Sequence, residues 1–242
     1  MTTPNSLART AGVLYLLMVI AGAFGVIVFA AVVEPGDAAA TADNIRASAG
    51  LFRAGFLSYL LGGPCFVLAG IVLYGLLKHV DRLAAIAMVT LNAIGTATAC
   101  LSLLNWYTAI AVATGDTYPR TFGEAGADAL TLHYLDMYDT GVGIAFVFDS
   151  LWLVPLGYLM IRSGYFPKAL GVALIVGCAG YLVNDVFIAF LATEAASTTG
   201  IGLLLTAVAG LSEIAFVAWL LAKGVRTPTP ARGPAVAAAT AS

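Results

Sequence analysis

Leu130–Ile161 reads LTLHYLDMYDTGVGIAFVFDSLWLVPLGYLMI. Most of this stretch is the apolar run of a lipid-facing helix, yet it carries His133, Asp136, Asp139 and Asp149. An ionisable side chain at bilayer depth costs about 2.5 to 3.5 kcal/mol on insertion scales. Three carboxylates on one span therefore require other helices, water or a ligand to satisfy them. The charge-poor segments on either side of the stretch are arranged to supply that enclosure.

The chain of 242 residues is 61% hydrophobic and 10% charged, against roughly 25% charged in soluble domains. No soluble core of this size hides so much apolar surface, so the fold class is all-α, an integral membrane helix bundle in one domain. The net charge of −2 offers no basic surface for nucleic acid; the surrounding partner is the lipid bilayer. Cys65, Cys100 and Cys178 fall singly in apolar runs and read as small buried hydrophobes, not as a disulfide set or metal site. No metal and no cofactor is expected.

Working outward from the opening stretch gives six spans: 11–33, 52–77, 83–113, 130–161, 169–191 and 201–222. Residues 1–10 form a polar leader, and 223–242, ending TPTPARGPAVAAATAS, form a tail with nothing to pack, expected to be disordered. The first run exceeds the apolar core of a cleaved signal peptide, so it reads as a retained span. Asp37 is placed to cap a short helix through AAATADNIRAS in the first loop. Gly62-Gly63-Pro64 interrupts the second span, as a packing kink or as a ligand-facing unwound turn. Pro167 is placed to start the fifth span and Tyr165 to anchor at the interface.

Orientation follows from the cations. With both termini cytoplasmic, Arg9, Lys78, Arg82, Arg162, Lys168, Lys223, Arg226 and Arg232 lie inside, and only Arg46, Arg53 and Arg120 outside. That bias is the one expected of an inner, plasma-membrane protein.

The polar residues of the spans define the candidate site. Asp136 and Asp139 lie about 60° apart around their helix, so one cavity holds both. Arg53 opens the second span at the same outer level, Asn105 and His133 stand near it, and Asn184 and Asp185 approach it from the fifth span. These groups are expected to meet in an outward-facing polar pocket, with Asp149 and Glu213 deeper. Three functions compete. The first is binding or transport of a small solute or ion, since intramembrane acids line such pathways. The second is a structural or partner-binding scaffold, in which an Arg53–aspartate cluster locks helices together. The third is a membrane-embedded enzyme; His133 and Asp136 have the spacing of metal ligands, but His79 is on the opposite side. No Gly-x-Ser-x-Gly or phosphate loop supports catalysis. Oligomeric state is not legible.

RSGYFPKALGVALIVGCAGYLVND (162–185) resembles the bacterial membrane family described as domain of unknown function 4386. ARTAGVLYLL (8–17), PGDAAATADNIRAS with LFRAG (35–55) and Asp136-x-x-Asp139-x-Gly141 are similar to it as well. The resemblance covers roughly residues 8–224. It implies a polytopic inner-membrane protein with no assigned activity, and it makes Arg53, Asp136, Asp139, Gly141, Tyr165, Pro167, Gly171 and Asp185 patterned features. Members of the family often carry a histidine near the position held here by Trp152.

Overall fold

A computed structural model describes residues 3–183 and 200–226. Among the described residues every regular element is a helix: α1 (Pro4–Val32), α2 (Ala38–Ala47), α3 (Ala49–Leu77), α4 (Arg82–Thr114), α5 (Thr117–Phe122), α6 (Glu124–Leu151), α7 (Leu153–Ser163), α8 (Lys168–Tyr181) and α9 (Gly200–Ala222). Four stretches are long and apolar enough to cross a membrane: α1, α3, α4, and α6 with α7 in series as Glu124–Ser163. Two shorter apolar helices follow, Lys168–Tyr181 and Ala207–Ala222. The fifth expected span runs into residues 184–199, outside the described set.

Local chemistry sets the boundaries. The Thr3 hydroxyl accepts from the Ser6 N–H at 3.3 Å, and Pro4 takes the first turn, where its missing N–H leaves nothing unpaired. Helix therefore begins inside the stretch expected to be a polar leader. Asp37 caps α2 by accepting from the Ala40 N–H at 2.9 Å, as the loop pattern implies. Asp81 caps α4 by accepting from the N–H groups of Leu83 and Ala84, each at 3.0 Å.

The two internal prolines act differently. α3 runs unbroken through Gly62-Gly63-Pro64, so of the two readings the ligand-facing unwound turn is absent. The glycines serve close approach instead: a Cβ on Gly63 would lie 3.0 Å from Cys100 Sγ, and one on Gly62 3.4 Å from Ala21 Cβ. The opening stretch remains one span-length element, Glu124–Ser163, with a local interruption at Trp152, between α6 and α7. Pro155 has no N–H to donate to the Leu151 carbonyl, and the ladder fails there.

The long helices pack as α1 on α3, α3 on α4 and α4 on α6, with α8 joining α7 to α9 and α9 returning to α1. Their outer faces are apolar; Ile27, Leu61 and Leu101 are each 66% exposed, a surface suited to acyl chains and not to water. The interior holds two cores. Val28, Phe52, Leu103, Trp106 and Tyr138 fill the end near α2. Tyr15, Leu73, Met88, Trp152 and Phe216 fill the other.

At that second end the described termini meet. The Val225 N–H donates to Asn5 Oδ1 at 2.9 Å, the Arg226 N–H to the Tyr165 carbonyl at 2.9 Å, and the His79 and Tyr165 rings stand 5.2 Å apart. Val225 is buried, so the segment just after α9 is packed, contrary to the expectation of a free tail from Lys223 onward. The rest of that tail, 227–242, lies outside the described residues.

Candidate functional site

Between the two cores lies a cavity of about 270 Å³. Its position follows from residue order. On α1, Met18–Val26 line it between Tyr15 of one core and Val28 of the other. On α3 the lining runs from Tyr59 to Phe66, with Phe52 and Leu73 beyond, and on α4 Thr96 and Ala99 lie between Met88 and Leu103. The cavity is thus near mid-length of each long helix. Asp149, Trp152, Tyr181 and Glu213 complete its wall.

Two carboxylates share this space in unlike settings. Tyr15 donates its hydroxyl to Glu213 Oε2 at 2.5 Å, tying α1 to α9, and Tyr181 is a second hydrogen-bonding partner of the same carboxylate. Asp149 Oδ1 is buried and has no hydrogen-bond partner among the described residues. Gly95 admits it: a Cβ on Gly95 would overlap the Asp149 carboxyl. One residue along, the Thr96 hydroxyl is also buried and unpaired, and one turn back so are both polar atoms of Asn92, which faces Gly70 of α3. A buried polar group without a partner costs roughly 1–3 kcal/mol, more if charged, so these groups mark where the sequence sacrifices stability.

The structure divides the expected site. Asp149 and Glu213 come together at the cavity. Arg53 does not join Asp136 and Asp139; it is exposed near α2 and reaches Thr114 Oγ1 at 3.4 Å. His133, Asp136 and Asp139 are exposed on α6, and Asn105 is half-buried on α4. Asn184 and Asp185 lie outside the described residues. Arg120 pairs with Asp116 within its own loop at 3.3 Å, and the cation that ties acids of different elements together at this end is Arg46. It pairs with Asp43 at 2.6 Å and with Asp128, and its Nε donates to the Ala113 carbonyl at 3.2 Å, at the end of α4. The reason is reach: Arg46 sits in the last turn of α2, which lies across the ends of α4 and α6.

Sequence reasoning missed Tyr15 and Tyr181 as site residues. The available signal was depth, since a tyrosine at mid-span, away from the interfacial belt, needs a partner for its hydroxyl.

Residues 10–224 match the family model described as Domain of unknown function (DUF4386). The chain belongs to this family. The DUF4386 chain is also 28% identical over 94 residues to an uncharacterized protein of Archaeoglobus fulgidus, a match covering 38% of the chain and 52% of that protein. It thus spans about half the length of that curated relative. No solved structure matches it. The family description assigns no activity, and the apolar helices of this chain are compatible with a membrane protein.

Proposed function

We propose that this DUF4386 protein is a six-span protein of the plasma (inner) membrane, with both termini cytoplasmic, that binds and passes a small solute or ion at Asp149 and Glu213. The topology draws support from the junction of Asn5 with Val225, which calls for an even number of crossings between them. The turns around His79 and Tyr165 at the same end carry Lys78, Arg82, Arg162 and Lys168, a cationic set that suits the cytoplasm. The observation that carries the functional reading is the buried, unpaired Asp149 Oδ1 on the wall of a 270 Å³ cavity. A carboxylate left without donors in oil is retained at a stability cost when something else satisfies it in the working cycle. This reading moves the pocket from the Arg53 end to the middle of the bundle.

The helix-lock reading has one observation in its favour, the Tyr15–Glu213 bond between α1 and α9. The two readings part at Asp149. With the protein in lipid nanodiscs, thermal unfolding across a panel of small cations, neutral polar solutes and anions distinguishes them. At least one solute class raises the Tm of the wild type and leaves Asp149→Asn unmoved, while Asp149→Asn alone unfolds at or above the wild-type temperature. A lock instead gives a wild type indifferent to the whole panel, with Glu213→Gln, which weakens the Tyr15 bond, unfolding earlier.

A further inference from the structure

We propose that the cavity takes a compact organic ammonium ion; this deepens, and rests on, the reading of the cavity as a solute site. Three features of the wall point to that chemistry. The first is sign. Asp149 and Glu213 both line the cavity, and among the described lining residues there is no lysine, arginine or histidine. An anion meets uncompensated repulsion there, and a cation relieves it.

The second is the division of labour between the acids. Glu213 is held by Tyr15 and Tyr181, so its position is fixed and its acceptor capacity partly used. Asp149 Oδ1 has no donor, and the Thr96 hydroxyl on the same wall has no partner either. The unmet demand is therefore for a hydrogen-bond donor or a positive charge at Asp149.

The third is the remainder of the wall. Tyr59, Phe66, Phe146 and Tyr181 present aromatic surface, and the fully buried Trp152 backs them. Trp152 and Phe66 meet edge to face, with centroids 4.9 Å apart, and Tyr15 braces Trp152 at 5.8 Å. Aromatic faces attract ammonium and alkylammonium groups, most strongly where water is scarce. A hard inorganic cation such as calcium asks instead for six to eight oxygen ligands, which this aromatic and aliphatic wall does not offer. The volume of about 270 Å³ falls just under the range of small-molecule pockets and holds roughly ten non-hydrogen atoms. Gly22 keeps part of that space open: it lines the cavity, and a Cβ there meets nothing within 4 Å.

Three water-soluble probes of similar size test the proposal by calorimetric titration into nanodiscs of the full chain, with empty nanodiscs as the blank. They are choline, its neutral carbon isostere dimethylbutanol, and the anion propanesulfonate. Choline is expected to bind at least about tenfold more tightly than dimethylbutanol, with propanesulfonate silent. Asp149→Asn is expected to erase the preference for choline. Gly22→Ala, which narrows the cavity with no clash, weakens choline and dimethylbutanol alike. Equal or tighter binding of dimethylbutanol overturns the ammonium assignment and leaves the solute cavity standing. Preference for propanesulfonate overturns the assignment through its sign. Silence of all three probes in a folded wild type overturns the ammonium assignment and the cavity reading together.

Discussion

Gly95 has no side chain because the Asp149 carboxyl occupies the space where one would go. The contact shows how the residue scale works in this bundle: a small residue on α4 admits a polar group from α6. Substitution to alanine must push Asp149, the α4 backbone or both aside. Gly95→Ala is expected to destabilise by about 1–3 kcal/mol, whereas Gly75→Ala, with nothing within 4 Å of the added Cβ, is expected to stay within about 0.5 kcal/mol or to stabilise slightly. Reversible unfolding in detergent micelles measures both. Equal effects would mean that the Gly95–Asp149 contact is not formed. At this scale the sequence shows Asp149 and Glu213 as deep ionisable residues, because charge inside an apolar run is conspicuous. It does not show Gly95, Tyr15 or Tyr181 as their partners, because those are identified by contacts between helices far apart in the chain.

At the scale of elements, α2 straps the ends of α4 and α6 through Arg46. The guanidinium holds Asp43, Asp128 and the Ala113 carbonyl, whereas Arg53 has one long bond to Thr114. Exposed ion pairs contribute about 0–1 kcal/mol, and a charged bond to a backbone carbonyl adds to that. Arg46→Ala is expected to lower stability by about 1–2 kcal/mol and Arg53→Ala by less than about 0.5 kcal/mol, by the same unfolding measurement. The reverse order would restore Arg53 as the anchor of this end. The cap of α2 was legible in the sequence, since Asp37 acts on an N–H three residues away; Asp81 caps α4 in the same local way but was not singled out. The choice between Arg46 and Arg53 was not, because it depends on the angle at which α2 crosses the bundle. The two prolines teach the same lesson. Pro64 is absorbed in a continuous α3 and Pro155 interrupts the opening stretch at Trp152, and the residue alone does not say which.

At the scale of the whole molecule, apolar excess made the helical, membrane-compatible class legible from composition, and the outward-facing Ile27, Leu61 and Leu101 agree with it. The place of the cavity was not legible, since it lies between two cores that draw on helices from both halves of the chain. The closure of Asn5 on Val225 makes a topological prediction. A fluorescent reporter fused after Arg226 is expected to mature in the cytoplasm, and an alkaline phosphatase reporter placed after Phe122 to be active outside it. Both reporters on one side would break the even-numbered arrangement, and both reversed would invert its orientation. The most direct measurement concerns the cavity itself, through a cysteine at Thr96, whose hydroxyl stands buried and unpaired on its wall. In a protein with Cys65, Cys100 and Cys178 replaced by alanine, Thr96→Cys is exposed to two small thiol reagents, cationic trimethylammonioethyl and anionic sulfonatoethyl methanethiosulfonate. The account predicts modification at least about tenfold faster by the cation, with the ratio collapsing when Asp149→Asn and Glu213→Gln are added. A folded protein that neither reagent modifies, or that the anion modifies as fast, would contradict it.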